Sequence, residues 1–409
     1  FSAINKWISD GSVMWLLVQS TASVKSGGTA IYELQQGAPA AKRGKLKVTD
    51  GGDAITVDTG KIKFRVSKRK FNLIDAAWLD ANGDGKYAAD EQVVASDKGG
   101  GSTMTLKSKE ETYSSSAAAP KKVRVEEQGG ERVIIHAEGL HAPEGGKGYL
   151  PYCCGYDVRI RAYAGKPYVR ISYCLTSGHL PGIGAPVCRE LTVGVPLKLA
   201  GKGSAAFGSR KGKVSGGLAE GKKAVLLCDA EPGKGSARSG TGYTLKSSLT
   251  GIDGAVPEGR LGWAAGSGGK LGAVLSARYL RENHACALEV ERRKGVTWLR
   301  LKPWPAEASR THLMPPCARK TYEVQLTLLP AGEVAGGAER LLTEQDTYLR
   351  FWPPLEWTAS TGAWGDFGGV AKPDAGAVKA LKRMRPFRAN GWFHLGTLPE
   401  MESGSSPVP

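Results

Sequence analysis

The sequence predicts a mainly β fold: a large antiparallel β-sandwich followed by a short helical C-terminal segment. Three observations carry this expectation. Gly makes up 56 of 409 residues, about twice the usual share, and divides the chain into short runs. Many of those runs alternate apolar and polar residues, the period of a half-buried strand. Long stretches of helical periodicity are scarce before about Gly337.

The strands follow in chain order. The apolar run Val13 to Val18 reads as a strand buried on both faces. Ile31 to Leu34, Lys45 to Thr49 and Ala54 to Asp58 come next, with Gly-rich turns between them. After Gly60 the alternation is clear: Ile62, Phe64 and Val66 point one way, and Lys61, Lys63 and Arg65 the other, giving a half-buried strand with a basic outer face. Val123 and Val125 precede Gly129-Gly130, and Val133 and Ile135 follow, which predicts a hairpin. Asp157 to Tyr163 and Pro167 to Cys174 form a second one around Ala164-Gly165-Lys166. Later strands are expected at Glu190 to Leu199, Ala224 to Cys228, Leu271 to Ser276, Cys286 to Glu291, Val296 to Leu301 and Thr321 to Leu329. Gly201 to Gly221, rich in Gly, Ser and Lys, reads as a long loop or as thin strands that the pattern does not place. Ala338 to Leu349 and Asp374 to Arg385 read as helices. In the second, Asp374 is the N-cap, Val378, Leu381 and Met384 share a face, and Pro386 is the stop. Glu402 to Pro409 reads as a disordered tail.

Charge narrows the partners. Lys and Arg number 56 against 39 Asp and Glu, a net charge of +17, which favours an anionic partner. The basic residues are dispersed, and no helix-turn-helix, zinc-finger or RNA-recognition signature is present, so nucleic acid is not expected. An acidic polysaccharide or a charged cell surface suits dispersed charge, and so does a solvated basic surface without a specific partner. No segment approaches the roughly 18 apolar residues of a membrane span. Phe1 opens no signal-peptide pattern, so the chain is expected to be a mature form or a fragment. The seven cysteines form no CxxC pair, which argues against structural zinc. Buried free thiols and one or two disulfides both fit. Gly-rich strands with exposed edges leave self-assembly open.

The sharpest motif runs from Asp80 to Glu91 and matches the calcium-loop pattern D-x-[DN]-x-[DN]-G-x5-E. Asp80, Asn82 and Asp84 offer oxygens at positions 1, 3 and 5, and Gly85 permits the sharp turn. Lys86 offers its carbonyl, and Glu91 two carboxylate oxygens. Flanking strands, rather than helices, argue against a full EF-hand. A bare Asn-Gly/Asp-Gly turn with solvated acids is the competing reading.

A second constellation sits on the hairpin of residues 157–174. With Val158, Ile160, Val169 and Ile171 turned to a core, Arg159, Arg161, Tyr163, Tyr168 and Arg170 share the opposite face. Arg pairs with a carboxylate through two parallel hydrogen bonds, and Tyr stacks on a sugar face. Cross-strand packing without a ligand explains the same pattern. His136 and His141 lie five residues apart, a spacing that suits no metal pair, and no nucleophile-elbow, zinc-protease or P-loop motif occurs.

Taken together, several motifs resemble the exo-rhamnogalacturonan lyase family. Trp7-Ile8-Ser9-Asp10-Gly11-Ser12, followed by Trp15-Leu16-Leu17-Val18, is similar to a signature in that family's N-terminal RIFT-type barrel. Thr59 to Val66 with Asn72-Leu73-Ile74, Arg159 to Tyr173, Gly262-Trp263, Arg278 to Val290, Lys302-Pro303-Trp304-Pro305 and Lys320-Thr321-Tyr322-Glu323 resemble its central β-sandwich. Glu356 to Ala363 and Gly391 to Gly396 resemble the approach to its α/α toroid, although Thr397 stands where the pattern has an acid. The resemblance implies a partial barrel over 1–58, a central sandwich over 59–335 and the start of a helical domain over 336–409, truncated at both ends. It implies an extracellular or cell-surface polysaccharide lyase that removes the C5 proton of a galacturonate and expels the 4-linked sugar. Arg159, Arg161 and Arg170 would neutralise the carboxylate, and His284 or Tyr279 would serve as base or acid. A non-catalytic surface or filament-forming β protein on a lyase-like scaffold is the alternative.

Overall fold

The computed structural model describes residues 2–18, 22–25, 28–33, 46–107, 110–177, 187–209, 212–230, 241–247, 261–280, 283, 285–308, 312–313, 317–334, 336 and 360. The strands in chain order begin with β1 (Ser2–Lys6), β2 (Val13–Leu17), β3 (Lys47–Asp50), β4 (Ala54–Asp58), β5 (Ile62–Ser67), β6 (Ala76–Leu79), β7 (Gln92–Ala95), β8 (Gly101–Leu106) and β9 (Thr112–Ser114). Next come β10 (Lys122–Gln128), β11 (Arg132–Leu140), β12 (Ala142–Pro143), β13 (Gly155–Tyr163), β14 (Tyr168–Thr176), β15 (Val187–Leu197), β16 (Gly203–Ser209) and β17 (Gly212–Leu218). The last are β18 (Lys223–Ala230), β19 (Thr241–Ser247), β20 (Leu261–Gly268), β21 (Leu271–Arg278), β22 (Cys286–Arg293), β23 (Val296–Trp304), β24 (His312–Leu313) and β25 (Arg319–Pro330).

Among the described residues β1 and β2 pair only with each other. The other strands build two antiparallel sheets. A nine-stranded sheet runs β10-β11-β13-β14-β25-β21-β20-β16-β17. A larger one, of fourteen strands, runs β19-β18-β22-β23-β15-β7-β6-β5-β4-β3, with β8, β9, β12 and β24 attached around β15. β15 is long enough for β23 to occupy one edge while β8 and the end of β7 share the other. The chain enters β8 through Gly101 at φ 90°, where a Cβ would lie 2.4 Å from Ser115 Oγ. A side chain there would be strained and would clash.

Alternation decides which residues meet between the sheets. Val158, Ile160, Val169 and Ile171 of the smaller sheet and Val193, Val195, Leu299 and Leu301 of the larger are all buried in one apolar cluster. Phe64, Phe71, Tyr113 and Tyr156 fill the same layer. Each such side chain contributes about 1.5–3 kcal/mol on burial, so this layer holds the sandwich together. All seven cysteines are free thiols. Cys153, Cys154, Cys188, Cys228 and Cys286 are buried, Cys174 is half-buried and Cys317 is exposed.

Two expectations are corrected and one open reading is resolved. The short helical C-terminal segment is not found: helical backbone among the described residues is confined to the 3-10 turns Ala89–Glu91, Ser96–Lys98, Glu144–Gly146 and Ala331–Glu333 and to isolated positions at Val334, Gly336 and Ser360. Spacing over a short window is a weak helix signal, because short helices draw their stability from tertiary packing. The stretches 338–349 and 374–385 lie outside the described residues. Second, Val13 to Val18 is not buried on both faces: Val13, Trp15, Leu16 and Val18 are 40–51% exposed, because β2 has only β1 beside it. Of the two readings of residues 201–221, the strands hold: the stretch contains β16 and β17, whose Gly and Ser residues are placed by ladder hydrogen bonds rather than by apolar alternation. β3 and β4 hydrogen-bond onto β5, so sheet pairing runs across residue 58. The chain divides into compact units at 1–342 and 343–409, and of the second only Ser360 is among the described residues.

Candidate functional site

Charged and aromatic side chains gather on the outer face of the nine-stranded sheet. Antiparallel register sets them in rows, with neighbouring strands about 4.8 Å apart. One row runs His136 (β11), Arg159 (β13), Ser172 (β14), Glu323 (β25). The next runs Ile134, Arg161, Arg170, Gln325, Ser276 and Trp263, from β11 to β20. The third sets Tyr163 beside Tyr168, with ring centroids 6.0 Å apart. All five residues expected on the hairpin's outer face are therefore on it: Arg159, Arg161, Tyr163, Tyr168 and Arg170 lie opposite the core-facing Val158, Ile160, Val169 and Ile171.

These arginines are not equivalent. Arg159 grips Glu126 with two hydrogen bonds, Nε to Oε2 at 2.7 Å and Nη2 to Oε1 at 3.0 Å, and donates from Nη1 to Asp157 at 3.0 Å. A bulge between Val125 and Glu127 interrupts the register at Glu126. The Arg159 hydrogen bond holds the Glu126 carboxyl below its ordinary range. Arg319 Nη2 donates to the other Asp157 oxygen at 3.0 Å. Arg170 donates to Gln325 Oε1 at 3.0 Å and lies over the rings of Tyr163 and Tyr168, 5.7 and 5.4 Å from their centroids. Arg161 is different. Its Nη1 donates to Ser172 Oγ at 2.6 Å, and among the described residues no carboxylate stands within ion-pair reach of it.

The far end of the second row is closed. Gln325 and Ser276 are buried, and Trp263 is fully buried with its indole on Gly208, where a Cβ would lie 2.5 Å from the ring. Trp263 packs with Tyr168, Ala206, Ala265, Val274, Leu329 and Val334. The accessible part of the face is the half-buried end carrying Arg159, Arg161, Tyr163 and Arg170.

Sequence reading missed a cluster beside this end. His136 is buried, its Nε2 is 3.0 Å from Asp157 Oδ1, and its Nδ1 is 3.8 Å from Glu126 Oε1. Asp157 precedes Arg159 by two residues and so shares its face, a signal that was legible. The partnership with His136 depends on which strands pair, which was not. His141, five residues on, faces the core: Nδ1–H donates to the Cys154 carbonyl at 2.8 Å, and Nε2 lies 2.8 Å from Ser102 Oγ and 3.1 Å from Tyr173 Oη.

Of the two acid–base candidates, His284 lies outside the described residues. Tyr279 follows β21 at φ 56°, half-buried, with the Arg278 guanidinium 4.6 Å from its ring centroid. Arg278 is ion-paired at 3.0 Å with Glu323 of the first row, so Tyr279 borders the arginine face.

The Asp80–Glu91 loop lies elsewhere, between β6 and β7. Asp80 Oδ2 accepts from Gly85 N at 3.2 Å, Asn82 Oδ1 from Asp84 N at 2.9 Å and Asp84 Oδ1 from Lys86 N at 2.8 Å. Glu91 accepts from Ala81 N and Ala88 N, both at 3.0 Å. Among the described residues no three His, Cys, Asp or Glu side chains are gathered closely enough to hold a metal between them.

A galactose mutarotase related enzyme from Lactobacillus acidophilus is 9% identical over 68% of this chain and 98% of its own, with a TM-score of 0.39. A galactose mutarotase-like protein from Lactobacillus casei is 11% identical over 67% of this chain and 99% of its own, with a TM-score of 0.35. A GH36 alpha-galactosidase from Geobacillus stearothermophilus is 9% identical, with a TM-score of 0.39, and the match spans 69% of this chain and 41% of that enzyme. No curated protein matches. Residues 46–179, which carry β3 to β14, match the family model of the PcRGLX-like protein central beta sandwich domain, and this supports kinship with rhamnogalacturonan lyase-like proteins at the level of that domain.

Proposed function

We propose that this chain is an extracellular or cell-surface carbohydrate-active protein of the rhamnogalacturonan exolyase type, which engages a galacturonate through the outer face of its nine-stranded sheet. The observation that carries this reading is Arg161, a guanidinium with a hydroxyl and, among the described residues, no acid beside it, next to a tyrosine pair and inside the segment that matches the family model. A carboxylate would give Arg161 the charged partner it lacks. Arg170 and Arg159 add positive potential, and Tyr163 offers a ring to the sugar.

In such a lyase, neutralising the carboxylate makes the C5 proton more acidic. A base takes that proton, the C4–O bond breaks, C4 and C5 form a double bond, and the departing oxygen receives a proton. Tyr279 and His284 are the groups assigned to this proton traffic, and Tyr279 stands at the border of the face.

Two assays test the reading. Incubation with rhamnogalacturonan should produce the ultraviolet absorbance of an unsaturated uronate, and Tyr279→Phe should lower its rate. Binding to rhamnogalacturonan should exceed binding to a neutral galactan and weaken steeply between low and moderate salt, because exposed charges are screened. Equal, salt-independent binding to both glycans would remove the acidic substrate and leave the non-catalytic surface protein ahead.

A further inference from the structure

We infer that the Asp80–Glu91 loop binds one calcium ion, independently of the carbohydrate reading. The twelve-residue spacing supplies the donor types, and the fold supplies a second, separate observation. Asp80 is 7% exposed; one of its carboxylate oxygens accepts from Gly85 N, and the other, Oδ1, is buried without any hydrogen-bond donor. A buried acceptor with no partner is costly, and more so when it carries charge. The Gly85 bond directs the Asp80 carboxyl into the loop, so a cation there is the simplest partner for Oδ1.

The Tyr87 hydroxyl is donated to Asp58 at 2.5 Å and so is not given to Asp80. The ammonium of Lys63 lies over the rings of Trp78 and Tyr87, 5.3 and 5.5 Å from their centroids, and forms no ion pair with Asp80.

Backbone N–H groups of Gly85, Asp84, Lys86 and Ala81 already donate to Asp80, Asn82, Asp84 and Glu91. Gly83 and Gly85, at φ 77° and 76°, make the turns that any other residue would resist. The ligand set we assign is Asp80 Oδ1, Asn82, Asp84, the Lys86 carbonyl and Glu91; the Asp80, Asp84 and Glu91 carboxylates are not gathered on one point without the ion, so the exposed Asp84 side chain closes on it as it binds. Glu91 keeps lone pairs beyond those given to Ala81 and Ala88. The mixed, adjustable oxygen shell favours calcium over magnesium, which demands near-ideal octahedral geometry.

The test uses the 409-residue chain with calcium chloride, and with terbium as a luminescent probe excited through Tyr87 and Trp78. We expect one ion per chain, a calcium-dependent rise in melting temperature reversed by chelator, and at least a tenfold loss of affinity in Asp84→Ala, which alters an exposed side chain. Asp80→Asn gives a readout that does not depend on the first. In chelator it should melt no lower than the parent, because the donorless charge is gone; in calcium it should melt lower. Absence of both terbium luminescence and a melting shift at about 1 mM calcium would overturn the site. Unchanged affinity in Asp84→Ala would do the same.

Discussion

The outer faces of the two sheets handle charge in opposite ways. On the larger sheet, Lys302 of β23 is 3% exposed, and its Nζ lies 2.6 Å from Glu190, 2.8 Å from Glu307 and 3.1 Å from Glu289. Arg300 is paired with Glu289 and, at 2.7 Å, with Glu291. Burial pushes the Lys302 pKa down, but Glu289, Glu190 and Glu307 outweigh it and raise the value. Burial likewise pushes Glu289 up, and Lys302 and Arg300 hold it below the usual range. Every charge in this cluster has a charged partner. On the nine-stranded sheet, Arg159 and Arg319 are balanced by Glu126 and Asp157, while Arg161 is left with a hydroxyl. A closed network of charges is part of the scaffold; among the described residues Arg161 has no acid within ion-pair reach.

Breaking the closed network should have the largest effect. Lys302→Met leaves Glu289 buried with only Arg300, and should cost about 3–5 kcal/mol in urea denaturation. A companion Glu289→Leu change should recover part of that loss. A cost below about 1 kcal/mol would mean that the two faces do not differ in the way described.

Acid titrates the layer between them. His141 is fully buried, and burial lowers its pKa to about 4. An unfolded histidine titrates near 6.5, so the unfolded chain binds more protons between these values and stability should fall from about pH 6.5 to pH 4, by roughly 3 kcal/mol. His141→Gln should flatten that slope. The carboxyls of Glu126 and Glu289 are held low by their partners, so their contributions are complete above the ordinary glutamate range and are lost at still lower pH.

Arg161 should behave in the opposite way to Lys302. Removing its single hydrogen bond to Ser172 in Arg161→Ala should change stability by only about 0.5–1.5 kcal/mol. Affinity for rhamnogalacturonan should nevertheless drop about tenfold or more, the value of one charge-assisted contact. Loss of stability without loss of binding would make Arg161 a packing residue and shift the site along the face.

The sequence by itself determined which residues share a face. Side chains alternate with period two along any strand, so the split of Val158 and Ile160 from Arg159 and Arg161 follows from local covalent geometry. The spacing from Asp80 to Glu91 is local in the same sense, and its turn pattern appears in the loop as written. The tertiary structure decided which faces meet and which rows form. Arg319 and Asp157 are 162 residues apart in the chain, and Glu190 reaches Lys302 only because β15 pairs with β23. β16 and β17 could not be placed from the sequence because Gly and Ser strands carry no apolar alternation; they are held by ladder hydrogen bonds to neighbours and by the Trp263 ring that fits over Gly208. Strand pairing exchanges hydrogen bonds between backbones that are alike at every residue, so it leaves little trace in the side chains of either strand, and only the closing of the whole core selects one arrangement.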